Sequence, residues 1–192
     1  MITTSKRFLL AALAAGILGL LLFAGSALAQ LGASGQIDPP CRGTWWIERG
    51  SLELGEKLPE FGFSRCDGEE LTTTDLEGRP LLINFWATWC APCLKELPQL
   101  NELAEEAGDS LAVVGVSLDQ DPAQLQKFLK QAKLNFDVTW DGGGIARDLG
   151  IRAVPLTLAI DAEGNLVGGH QGYATKEQFI ELAKLAGAEL PD

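Results

Sequence analysis

Histidine is all but missing from this chain of 192 residues, His170 being the only one. It stands in a Gly-rich stretch with no second His and no Cys pair beside it, so no metal site of ordinary ligand spacing is expected. Positive charge is short as well. Fifteen Lys and Arg face 26 Asp and Glu, a net of −11, which argues against nucleic acid or an anionic membrane surface as a partner. No internal repeat and no second hydrophobic pattern is visible, and the chain beyond its N-terminal segment suits one domain with a full core. Cysteine is limited to four residues, Cys41, Cys66, Cys90 and Cys93, and their placement carries most of the information.

The chain starts with a short basic stretch ending in Lys6-Arg7, and Phe8 to Ala29 is almost wholly apolar. Ala27-Leu28-Ala29 fits a signal-peptidase cut after Ala29. At about 1.5 Å per residue the same stretch is also long enough, roughly 33 Å, to stay as a membrane anchor. Both readings keep Lys6 and Arg7 in the cytoplasm and put everything after residue 30 in the periplasm or on the outer face of the membrane. Residues 1–29 hold two basic and no acidic side chains, so their removal takes the net charge from −11 to −13. All four cysteines then lie where disulfides persist.

Cys90 and Cys93 end the apolar run Leu81-Leu82-Ile83-Asn84-Phe85-Trp86 and open a helix-like segment. Two cysteines at this spacing on a strand-to-helix turn can close a disulfide with each other and offer the first as a thiolate, the equipment of thiol-disulfide exchange. Cys90 falls just before the helix, where the dipole and unpaired N–H groups favour the thiolate, and is the expected nucleophile. Cys93, one turn in, is the expected resolving thiol. Pro92 suits a first helical turn, and Pro98 should kink the helix from Pro92 to Ala107. The Cys90–Cys93 disulfide is itself the redox centre, and no cofactor is expected. Cys41 and Cys66 lack this spacing. The simplest pairing joins them as a structural disulfide, stabilising by about 2–4 kcal/mol, and the alternative makes one of them a resolving thiol for the first pair.

Residues 30–50 read as an N-terminal arm, whose Trp45-Trp46 pair is expected to pack on a domain spanning 51–192. Phe61 to Arg65 alternates like a strand, followed by a hairpin turn at Asp67-Gly68. Beyond residue 81 apolar strands alternate with amphipathic helices, an α/β layer pattern. Strands are predicted at Leu111–Leu118, Leu156–Ile160 and Asn165–Gly168, the last two joined by a turn at Asp161–Gly164. Helices are predicted at Pro122–Leu134, with Leu125, Phe128, Leu129 and Ala132 on one face, and at Thr175–Ala186. The latter takes Thr175 as N-cap and Phe179, Ile180, Leu182, Ala183 and Leu185 as apolar face.

Phe85-Trp86-Ala87-Thr88-Trp89-Cys90-Ala91-Pro92-Cys93, then Glu96-Leu97-Pro98, resembles the active-site segment of exported thioredoxin-like proteins of the TlpA, ResA and DsbE (CcmG) type. Gly78-Arg79-Pro80, Val116-Ser117-Leu118-Asp119 and Gly150-Ile151-Arg152-Ala153-Val154-Pro155 extend the likeness over roughly residues 51–190. The resemblance implies a thioredoxin-like fold, a central mixed β-sheet flanked by helices, here with an N-terminal hairpin or arm. It implies that Pro155 is the cis-proline facing the cysteines, turning the Val154 backbone toward a substrate chain. Trp89, Ala91, Pro92 and Val154 would then line the substrate surface, while Trp86 packs inside. Gly172 is expected either to keep that groove flat or to serve a plain turn. Asn84 stands where thioredoxin has a buried aspartate. Glu96 matches a glutamate credited with tuning the cysteines or relaying protons, the alternative being an ordinary solvated helix carboxylate. Leu156 replaces a frequent threonine, which puts substrate preference in question.

The function the resemblance implies is a disulfide reductant of the cytochrome c maturation type. Its substrates would be protein disulfides, apocytochrome c among them, and a CcdA or DsbD type membrane protein would re-reduce it. A disulfide-forming oxidase or isomerase would use the same cysteines at a higher potential. A peroxiredoxin, with antioxidant activity, would need Pro-x-x-x-Thr-x-x-Cys, whereas Thr88 is only two residues before Cys90. A zinc-stabilised module would need a second ligand pair.

Overall fold

A computed structural model describes residues 43–191 other than 67, 142 and 143. The expectations for the N-terminal segment, Cys41, Asp67 and the packing of the Trp45 and Trp46 side chains lie outside the described residues.

Two sheets are formed. β1 (Thr44–Trp46), β2 (Phe61–Ser64) and β3 (Glu70–Thr72) make a small antiparallel sheet in the order β1-β2-β3. The segment 30–50, read as an arm, thus contributes a strand that pairs with β2. The larger sheet has the order β6-β5-β4-β7-β8, built from β4 (Leu81–Trp86), β5 (Ala112–Ser117), β6 (Asp137–Trp140), β7 (Leu156–Ile160) and β8 (Leu166–Gln171). β4, β5 and β6 run parallel, while β7 and β8 are antiparallel to their neighbours. This is the mixed sheet of the thioredoxin-like fold. The helices are α1 (Ala91–Ala107), α2 (Pro122–Leu129), α3 (Ile145–Asp148) and α4 (Lys176–Leu185).

Strand alternation sorts β4 onto two cores. Leu81, Ile83 and Phe85 join Phe61, Phe63, Val114, Val116, Ile145, Leu158 and Ile160 on one face. Leu82 turns to the other face, against Leu100 and Leu103 of α1 and Phe179 and Ala183 of α4. Trp86, on the same side as Leu82, packs with Cys93, Leu97 and Leu125 and is fully buried. β4 is covered on both sides, which is why it reads as an apolar run broken only by Asn84.

Several boundaries differ from expectation. β2 is buried along its whole length instead of alternating, because it packs into the core on one side and on the other is not left to solvent. β6 carries no strand signal of its own, since four half-polar residues fall below any periodicity. α2 stops at Leu129, where the Phe128 carbonyl accepts from both Gln131 N and Ala132 N and closes the turn. Leu185 is not core but 56 % exposed; its Cδ2 lies where a Cβ on Gly168 would sit, 2.5 Å away. Gly172 has a φ of +95° with nothing within 4 Å of its would-be Cβ, so it serves the turn, not a close approach.

Candidate active site

The site forms where β4 ends and α1 begins. Cys90 is the N-cap of α1, with extended backbone, and its Sγ accepts a hydrogen bond from Cys93 N at 3.3 Å. Cys90 and Cys93 are joined by a disulfide, S–S 2.06 Å, with Cα atoms 5.2 Å apart. Cys93 is fully buried and Cys90 retains 5 % exposure, so the oxidised pair offers a narrow target at one sulfur only. Around it, Trp89 is 64 % exposed, and Ala91 and Pro92 are also exposed.

The loop 153–155 faces this turn. The Val154–Pro155 peptide is cis, and the Val154 carbonyl oxygen lies 3.8 Å from Cys90 Sγ. Gln171 Nε2 donates to the Pro155 carbonyl at 2.7 Å, and Gly172 N donates to the same oxygen at 2.8 Å, fixing the loop from β8.

Glu96 lies on α1, one turn beyond Cys93, and is fully buried; it is not a solvated helix carboxylate. Its Oε1 accepts from Asn84 Nδ2 at 2.9 Å, and its Oε2 accepts from Ala174 N at 2.9 Å. Asn84 Nδ2 also donates to Thr157 Oγ1 at 3.0 Å, while Asn84 Oδ1 is buried without a partner among the described residues. Burial pushes the Glu96 carboxyl above the usual carboxylate range; the Ala174 N–H, the Asn84 amide and the nearby His170 pull the other way. Asn84, on the strand, therefore supplies a neutral amide, and the helix supplies the buried acid.

A second carboxylate, which the sequence marks only as part of Val116-Ser117-Leu118-Asp119, holds the turn itself. Asp119 is buried and accepts from Thr88 N at 3.1 and 3.2 Å, from Thr88 Oγ1 at 2.6 Å and from Ser117 Oγ at 2.7 Å. Its own carbonyl accepts from Trp140 Nε1 at 2.6 Å. Thr88 is thereby pinned two residues before Cys90. Thr157, Ala174 and Asp119 were invisible as site residues because each meets its partner across 31 to 78 positions of sequence.

Cys66 is disulfide-bonded and packs, partly buried, against the cluster that contains Trp86, Cys93 and Val138; its expected partner Cys41 is outside the described residues. Among the described residues no group of three or more His, Cys, Asp or Glu is placed to hold a metal ion.

The AhpC/TSA family profile matches residues 54–168, more than half of the chain. The chain belongs to that family. Within it, the chain is 31 % identical over 142 residues to the thiol-disulfide oxidoreductase ResA of Bacillus thuringiensis, covering 73 % of this chain and 82 % of that protein. It is 34 % identical over 137 residues to the thioredoxin-like protein YneN of Bacillus subtilis, covering 70 % and 81 %. Among solved structures, a thiol:disulfide interchange protein DsbE from Chlorobium tepidum superposes with a TM-score of 0.65 at 29 % identity, covering 70 % of this chain and 98 % of that one. This AhpC/TSA-family member is accordingly a thioredoxin-fold thiol-disulfide oxidoreductase of the ResA and DsbE type, with Cys90 and Cys93 as its redox pair.

Proposed function

We propose that the chain is an exported reductant of protein disulfides, of the cytochrome c maturation type. The observation that carries this reading is the Cys90–Cys93 bridge on the first turn of α1, shielded except at Cys90 and flanked by exposed Trp89 and the Val154 carbonyl. In the reduced enzyme the Cys90 thiolate attacks one sulfur of a substrate disulfide, forming a mixed disulfide and releasing the first substrate thiolate. Cys93, as thiolate, then attacks Cys90 Sγ and expels the second. Two electrons pass to the substrate, the Cys90–Cys93 disulfide is left, and an external dithiol, of the CcdA or DsbD kind, must reduce it again. Glu96 takes and returns the proton of the buried Cys93 thiol, which no other acid on α1's buried face can do. A partner chain would lie along Trp89, Ala91, Pro92 and the Val154 backbone, and Cys41–Cys66 would staple the arm to the β2–β3 hairpin.

Export is supported by the apolar segment 8–29 behind Lys6-Arg7; among the described residues no helix is long and apolar enough to cross a membrane. The deciding measurement is the reduction potential of the Cys90–Cys93 couple, by equilibration with dithiothreitol or glutathione. A value below about −250 mV is expected, and one near about −120 mV would make the enzyme an oxidant instead. Cys90→Ser should reduce disulfide turnover to background, and Cys93→Ser should accumulate the mixed disulfide with the substrate protein.

A further inference from the structure

His170 takes no part in the disulfide exchange itself, yet its position shows that it is not a stray. In register across the larger sheet, Asn84 of β4 stands opposite Thr157 of β7, and Thr157 stands opposite His170 of β8. Residues paired across a sheet point to the same face, so Asn84, Thr157 and His170 form one polar row beneath α1, the helix that carries Glu96. Their neighbours along the strands on that face, Leu82 and Ala159, are fully buried and apolar.

The row closes on Glu96 from both ends. On one side Asn84 Nδ2 donates to Oε1 at 2.9 Å. On the other, a single peptide group does the joining: the Tyr173 carbonyl meets His170 Nε2 at 3.1 Å, and the N–H of the same peptide, Ala174 N, donates to Oε2 at 2.9 Å. A carbonyl oxygen only accepts, so His170 Nε2 carries the hydrogen. Hydrogen bonds in series polarise each other. A positive imidazole pulling on the Tyr173 oxygen makes the Ala174 N–H a better donor to a carboxylate.

We propose that His170 is a positioning residue for Glu96, acting through the Tyr173–Ala174 peptide to couple its own charge to that of the buried carboxyl beside Cys93. This deepens the reading of Glu96 as the proton partner of the redox pair and rests on it only for the final effect on the thiols. The ionisable neighbours are few. Cys93 lies on Glu96's own helix, β4 and β7 supply only the neutral Asn84 and Thr157, and the β8–α4 turn supplies Tyr173, whose ring has Lys95 Nζ 4.9 Å from its centre. Lys176, at the start of α4, is engaged by Glu102 and Glu106 at 2.7 and 2.8 Å. Among the described residues, His170 is thus the cation-forming group linked by hydrogen bonds to Glu96.

The test uses the full-length enzyme with ¹³C-labelled glutamate carboxyls, the Glu96 signal being identified by its loss in Glu96→Gln. His170→Phe should move the Glu96 titration midpoint upward by about half a pH unit or more. His170→Gln, which keeps a donor but no charge, should do the same if His170→Phe fails to fold. In the reduced enzyme, either change should shift the pH profile of Cys90 alkylation, and that shift should vanish in a Glu96→Gln background. An unmoved Glu96 midpoint overturns the proposal, as does an alkylation shift that persists undiminished without Glu96, since His170 would then act on the thiols directly. If the midpoint moves but Glu96→Gln leaves alkylation as in the wild type, the coupling stands and the proton role of Glu96 falls instead.

Discussion

At the level of single residues the site turns on a buried acid that is held as if ionised. Both oxygens of Glu96 accept a donor, the arrangement a carboxylate requires, while burial favours the neutral form. The folded enzyme therefore binds this proton more tightly than the unfolded chain does. The stability so gained is present below the ordinary glutamate range and is lost as pH rises through the elevated folded value. Glu96→Gln removes that dependence. Relative to wild type its unfolding free energy should climb by about 1.4 kcal/mol per pH unit across the interval between the two values, and be level outside it; urea titrations at a series of pH values would measure this, and parallel curves would refute it. The substitution is accommodated because Asn84 can turn its amide and present Oδ1, which has no partner among the described residues, to the new Gln donor. Asn84→Leu works in the opposite sense. It withdraws a donor from the carboxylate, which should push the Glu96 midpoint further up and cost about 1.5–3 kcal/mol above it, the usual worth of a hydrogen bond to a charged group.

Among the elements, the turn between β4 and α1 depends on a strand it does not follow in sequence. β5 delivers Asp119 beneath Thr88, and three donors converge on one carboxylate. Asp119→Ala should cost about 1–3 kcal/mol by leaving those donors unpaired, and should speed amide exchange at Thr88 while leaving α4 protected. Equal loosening of α4 would show that the whole fold, not the turn, had been weakened. α4 has its own closure, a capping box in which Thr175 accepts from Gln178 N and Gln178 Oε1 accepts from Thr175 N. That helix start was legible because capping is local. So were β7, whose bounds match the expected Leu156–Ile160, and the Cys90 end of α1, which Pro92 and the cysteine spacing announce. β8 was legible only in part: a strand is expected at Asn165–Gly168, but β8 runs on to Gln171, past the point where Gly168-Gly169 weakens the strand signal. The structure needs the first for Leu185 and the second for the Thr157 carbonyl, which would lie 3.1 Å from an added Cβ. Asp119 and Thr157 likewise carry no local mark, since a buried polar partner is defined by what packs over it.

For the molecule as a whole, the redox pair sits at the end of β4 marked by Trp86, whereas an open cavity of about 500 Å³ lined by Leu58, Leu81, Glu77, Ile160 and Asp161 sits at the other. The chemistry therefore has one face, and the approach of a protein substrate to it takes place in the field of the entire chain. That field is negative: −11 for the full sequence and −13 for residues 30–192, which lack Lys6 and Arg7. Charge of this size steers encounter more than it strengthens the bound complex, and it is screened within about 8–10 Å at moderate salt. Since the proposed attack of Cys90 on a substrate disulfide is bimolecular, the sign of a substrate should be visible in the rate. With two disulfide peptides alike except for flanking Lys or Glu, the cationic one should react faster at low ionic strength. Its second-order rate constant should fall about tenfold from roughly 20 mM to 500 mM salt, and that of the anionic one should rise. Stopped-flow reduction by the prereduced enzyme, followed through tryptophan fluorescence, would separate them. Rates independent of both peptide charge and salt would mean that docking on Trp89 and the Val154 backbone, not the long-range field, governs which disulfides this enzyme meets.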